Sequence, residues 1–148
     1  MRLEDMTTMQ LRRSLKRLHR RINNQVFFGT LRDIPIFLQY CIISQDGQDC
    51  CGAFNEDQES IYISELFVSD LARCRTQREQ CVILCQTLLH EMIHQYCYEY
   101  GIDDTDHGTL WTDTAGKFHL ISCYEYGEPI QEHIEPLFEN YIRTHYSL

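Results

Sequence analysis

No stretch of this 148-residue chain approaches the roughly 18 consecutive apolar residues that a membrane-spanning helix needs. The N-terminal stretch, MRLEDMTTMQLRRSLKRL, lacks the apolar centre of a secretory leader and puts acids where such a leader is basic. Membrane association and export are therefore not expected, and an intracellular protein, cytoplasmic or DNA-associated, is. No CxxC pair occurs among the eight cysteines, which argues against a zinc ribbon. In an unexported chain such thiols stay reduced, and they read as core packing or half-buried surface. Proline and glycine are sparse, and no linker, repeat or low-complexity tract divides the sequence. One domain over residues 1–148 is expected, long enough to bury a core without disulfide or metal staples.

Basic charge is also scarce outside one segment. Residues 1–21 hold seven bases against two acids (+5), and the rest holds six bases against 20 acids (−14), which together give the overall −9. An acidic body does not attract nucleic acid. Only the first helix could, through Arg12, Arg13, Lys16, Arg17, Arg20 and Arg21. A solvated face pairing with the acidic remainder is the plainer reading of those six.

The hydrophobic pattern gives an element order. Leu11, Leu15, Leu18, Ile22 and Val26 recur at helical spacing, predicting an amphipathic helix over 7–26 opened by Thr7 or Thr8. The β-branched and aromatic run 34–43 reads as a strand with Pro35 near its start. A turn at Asp46–Asp49, a short strand near 51–54 and the strand 60–64 complete a small three-stranded antiparallel meander. Residues 76–100 form the longest helix, apolar enough to be central, with Gly101 as its C-cap. Shorter helices are expected over 109–120 and 130–145. Helix, sheet, then helices is an α+β order.

Within the long helix stands TLLHEMIHQY, with His90, Glu91 and His94 in the pattern HExxH. Chance would supply that pattern in roughly one in 40 chains of this composition, so its surroundings must decide. His90 and His94 fall about 40° apart on one helix face and about 6 Å apart along the axis, so both imidazoles can reach one cation. Glu91 is rotated about 100° from His90, outside that pair but within reach of a metal-bound water, as a general base must be. A catalytic zinc site needs one more protein ligand. The chain turns at Gly101 and comes back with His107, the favoured third ligand. Asp103, Asp104 and Asp106 compete with it, and Cys97 would instead close the site as a structural one. His119 and His133 read as surface or core histidines. Burying two histidines and a glutamate on an apolar helix is costly without a metal or partners, which favours one Zn²⁺ per chain.

Several spaced segments resemble the SprT-like metallopeptidase family. They are LHRRINNQVFFGTL (18–31), SIYISELF (60–67), TLLHEMIHQY (87–96) and DHGTLWTDTAGKF (106–118), in the family's order. The resemblance covers about 18–121 and leaves 122–148 as a C-terminal helical extension. It implies a compact zincin-like metallopeptidase domain, with His90, His94 and His107 as zinc ligands and Glu91 as general base and acid. The chain departs from the family in having His107-Gly108-Thr109-Leu110-Trp111 where His-Gly-Pro-Glu-Phe is common. Residues 122–148 offer only Cys123, so it matches a short form without the zinc ribbon. The implied activity is peptide-bond hydrolysis in protein substrates, including DNA-associated ones, with DNA itself as a partner through the basic helix. Tyr98 is a candidate oxyanion stabiliser, with a packed aromatic as the plainer reading. Strand 60–64 is a candidate edge for an extended substrate. A zinc-stabilised DNA- or protein-binding module and a non-proteolytic metallohydrolase are the alternatives.

Overall fold

A computed structural model describes residues 2–74, 77–104, 108 and 113 of the chain, without the side chains of 74, 77–79, 81 and 82. The expected helices over 109–120 and 130–145, His107 and the extension 122–148 lie outside the described residues, as do the side chains of Cys81 and Val82.

After a short turn at Leu3–Asp5, helix α1 spans Thr8–Val26. Thr7 is its cap. The Thr7 hydroxyl accepts from the Gln10 amide at 3.1 Å, and the Gln10 side chain accepts from the Thr7 amide at 2.9 Å. This reciprocal pair satisfies two donors at the helix start. Leu11, Leu15, Leu18 and Ile22 are buried, as their spacing predicts. Five strands follow: β1 (Ile36–Gln39), β2 (Ile42–Ile43), β3 (Asp49–Cys50), β4 (Gly52–Asn55) and β5 (Ser60–Ser64). Helix α2 (Glu65–Cys74) and helix α3 (Gln77–Glu99) complete the described elements.

The sheet is mixed rather than the antiparallel meander expected. Its order is β1-β5-β4, with β1 parallel and β4 antiparallel to β5. The run 34–43 is broken at Tyr40–Cys41, so β2 leaves the sheet and forms its own hairpin with β3. The chain returns as β4 on the far side of β5, which leaves β1 and β5 to pair in parallel. Strand 60–64 is therefore central, not an edge, and Ile61 and Ile63 in it are fully buried.

Helix α2 was not anticipated, because its apolar residues Leu66, Phe67 and Val68 follow those of β5 after only Ser64 and Glu65. The signal is Ser64, whose hydroxyl accepts from the Phe67 amide at 3.3 Å, a cap on the first turn. Helix α3 is buried nearly all round, including Ile83, Leu84, Leu88, Leu89, Met92 and Ile93. It is the central helix that its composition predicts. Gly101 ends it at φ +68, with the Ile102 amide bonded to Cys97 O at 2.8 Å and the Gly101 amide to Tyr98 O at 3.4 Å. That pair of bonds reverses the chain and turns residues 102–104 back along the helix.

Between α1 and α3 runs a buried polar link. His19 Nε2 donates to Gln95 Oε1 at 2.9 Å, and the Gln95 amide donates to Arg32 O at 3.0 Å and to Glu99 Oε2 at 2.6 Å. Burial holds the His19 imidazole below its ordinary range, since no solvent is there to receive a charge. Among the described residues, no helix is long and apolar enough to cross a membrane.

Candidate metal and catalytic site

Helix α3 presents His90, Glu91 and His94 to a cleft of about 260 Å³. Its other walls come from Ile42, Ile43 and Ser44, from Cys50 of β3, from Gly52, Ala53 and Phe54 of β4, and from Glu56 and Asp104. The rings of His90 and His94 lie 5.1 Å apart, centre to centre, at 64° to each other. The i, i+4 spacing thus puts the two imidazoles side by side at one opening.

The returning loop delivers Asp104 to this pair. His94 Nδ1 lies 2.6 Å from Asp104 Oδ2, so the carboxylate accepts from the ring and leaves Nε2 free of that bond. This is how a metal-ligating histidine is usually oriented. Asp104 thus lies in the cleft wall, in direct contact with the ring of His94. Burial works against a charge on His94, but its bond to Asp104 and the neighbouring carboxylates outweigh that and hold the imidazole above its usual range.

Glu91 is buried, and its Oε1 stands 3.9 Å from His90 Nε2. Burial pushes its carboxyl up to about 7, against the opposing pull of His94 and of the Phe54 amide, which donates to it from β4. A carboxyl poised there can both accept and return a proton near neutral pH. Gly52 makes the approach of β4 possible. A methyl group on it would lie 3.1 Å from Tyr62 O, 3.2 Å from Ile63 Cδ1 and 3.3 Å from Glu91 Cγ. Neither Gly52 nor the Phe54 amide was singled out from sequence. A glycine inside a strand pattern is the one signal available, since it marks a close approach.

The remaining sequence candidates separate cleanly. Cys97 is buried in the core, and Asp103 is exposed; neither lines the cleft. Asp106 and His107 lie outside the described residues. Tyr98 packs its ring 5.6 Å from Phe54 and its hydroxyl donates to Glu59 at 3.3 Å, contacts of a packed aromatic. The strand edge beside the cleft is β4, which pairs on one side only among the described residues. Among those residues, no three His, Cys, Asp or Glu side chains converge as a metal-binding group. His90 and His94 offer two nitrogen donors of a kind suited to zinc or a similar cation, and Cys50, Glu56 and Asp104 line the same cleft. Of the basic residues of α1, Arg12, Arg13, Lys16, Arg17 and Arg20 sit at the opposite edge of the sheet, beside β1.

Two histidines on one helical face, a buried glutamate beside them and an unpaired strand edge are the parts of a metallopeptidase-type domain. A family model described as Metallopeptidase toxin 3 matches residues 6–133, and the chain belongs to that family. That match spans every element from α1 to the Asp104 turn and supports a peptidase-type enzyme. No curated protein and no solved structure matches the chain.

Proposed function

We propose that the chain is a zinc-dependent endopeptidase that binds one Zn²⁺ through His90, His94 and His107 and uses Glu91 as its general base and acid. The observation that carries this reading is Glu91. It is buried beside the histidine pair, held by a backbone amide of β4, with its carboxyl pushed up to about 7. A purely structural metal site has no use for such a group, which weighs against a zinc-stabilised binding module. The resemblance of several spaced segments to SprT-like metallopeptidases supports this reading, although the family that matches is Metallopeptidase toxin 3.

When bound, zinc would lower the pKa of its water toward 7 and polarise the scissile carbonyl. His90 and His94 would hold it through ring nitrogens, with Asp104 fixing the His94 ring by its 2.6 Å contact. Glu91 takes the proton of the attacking water and returns it to the departing amine nitrogen. The Phe54 amide keeps the carboxylate aimed during both transfers. An extended substrate lies along β4, adding a strand beside the cleft, with Ile42, Ile43 and Phe54 as apolar contacts for its side chains. We place this activity in a reducing, intracellular setting, where the cysteines stay as thiols.

A peptidase assay on an unfolded protein substrate tests the proposal. Activity should vanish with a chelator and return with Zn²⁺. Glu91→Gln should keep metal and fold but lose about 10² to 10⁴ in rate, the usual worth of a general base. Cleavage by Glu91→Gln at the wild-type rate would sink the mechanism.

A further inference from the structure

Among the described residues, three glutamines of α3 are buried, in a helix packed mainly by aliphatic side chains. Two of them are held. Gln80 donates to Leu71 O at 3.2 Å, and Gln95 accepts from His19 and donates to Arg32 O and Glu99. Gln86 is the exception. It is 1% exposed, and among the described residues neither the nitrogen nor the oxygen of its amide has a hydrogen-bond partner.

A buried amide without a partner is costly, and a methionine would fill the same space without that cost. Packing alone therefore gives no reason for a glutamine here. Its place on the helix does. Gln86 stands four residues before His90, about 40° round the axis and about 6 Å along it. The two Cβ atoms of such a pair are about 5 to 6 Å apart. Helical side chains lean back over the turn that precedes them, which inclines the His90 ring toward Gln86 and Thr87. Thr87 is already engaged, its hydroxyl donating to Ile83 O at 2.9 Å. On the His90 ring, Nε2 stands 3.9 Å from Glu91 Oε1, and Nδ1 is buried. A glutamine oxygen suits an imidazole N–H, as the 2.9 Å bond between Gln95 and His19 shows in this same helix.

We propose that Gln86 is a positioning residue of the metal site: when His90 holds zinc through Nε2, Gln86 Oε1 accepts from Nδ1 and fixes the ring. This rests on the proposed function, since it concerns the zinc that His90 and His94 would hold. The amide turns to the ring by rotation about its side-chain torsions, the last of which is soft. Gln86 then does for His90, from within the helix, what Asp104 does for His94 from the loop at 2.6 Å. Support of this kind is worth about 10- to 100-fold in metal affinity.

Competition of the full chain against a chromogenic chelator for Zn²⁺ tests this without any peptidase activity. Gln86→Met keeps the length of the side chain and removes the acceptor, so its zinc affinity should fall by about 10- to 100-fold. Gln86→Glu keeps an acceptor oxygen at the same reach and should bind zinc at least as tightly as wild type. In chelator, Gln86→Met should melt at or above the wild-type temperature, because it no longer buries an unmet amide. Unchanged affinity in Gln86→Met, or an equal fall in both variants, overturns the proposal and leaves the zinc site itself standing. A melt of Gln86→Met below wild type would assign the loss to packing and overturn it as well. A wild-type chain that takes up no zinc overturns the proposed function, and this inference with it.

Discussion

Replacing Gly52 by alanine adds one methyl group at the tightest point between β4 and α3. That methyl would lie 3.1 Å from Tyr62 O, 3.2 Å from Ile63 Cδ1 and 3.3 Å from Glu91 Cγ. Comfortable contacts between carbon atoms begin at about 3.5 Å. The Tyr62 carbonyl is fixed in β5, and the ladder that pairs Gly52 with Ile63 resists a shift. The strain is relieved by moving β4 outward or by turning Glu91 aside, by a few tenths of an ångström. Overpacking of this kind costs about 1 to 3 kcal/mol, which lowers the melting temperature by about 2 to 4 °C per kcal/mol in a chain of this size. A misplacement of 1 Å can cost about 10² in rate, so a few tenths should reduce kcat by about 4- to 10-fold. Steady-state kinetics on a peptide substrate should show that loss in kcat with KM little changed and zinc content intact. Wild-type kcat together with a wild-type melt would refute the idea that β4 holds Glu91 in place.

Other consequences follow from single contacts. Asp104→Asn keeps the size of the side chain but removes the charge that orients His94. Competition against a chromogenic chelator should show zinc affinity reduced by about 10- to 100-fold, and an unchanged affinity would detach Asp104 from the site. His19 has a folded pKa below its unfolded value, because it is buried. Its contribution is fully present above about pH 6.5 and falls as acid protonates the unfolded chain first. Denaturant unfolding at pH 7.5 and at pH 5.5 should therefore show a larger acid loss for wild type than for His19→Gln, and equal losses would contradict this.

How far the sequence could be read depended on whether each feature was local. Helix α1 was legible because its leucines recur at helical spacing behind a threonine pair able to cap it, though only the fold showed that Thr7, with Gln10, is the cap. Helix α3 was legible because its apolar stripe is unusually broad and Gly101 can end it. The same helix brings His90 and His94 together by spacing alone, so the pair needed no tertiary knowledge. The sheet order was not legible. It depends on the break at Tyr40–Cys41 and on β4 passing to the far side of β5, which are long-range choices. Helix α2 was hidden because only Ser64 and Glu65 separate its apolar residues from those of β5. In the site, Asp104 was visible as one of several acids, but its role depends on the turn geometry at Gly101. The grip of β4 on Glu91 comes from backbone atoms of a distant segment and leaves almost no trace in residue identity. The charge of α1 was plain, whereas the bonds of Arg12 and Lys16 to the carbonyls of Ile36 and Ile34 appeared only with the fold.

The most direct test of the central claim is the zinc content of the full chain, purified without added metal and measured by elemental analysis. The account predicts one zinc per chain in wild type and in Glu91→Gln, with loss in His90→Ala, His94→Ala and His107→Ala. A wild-type protein that carries no zinc and takes up none on addition would contradict it.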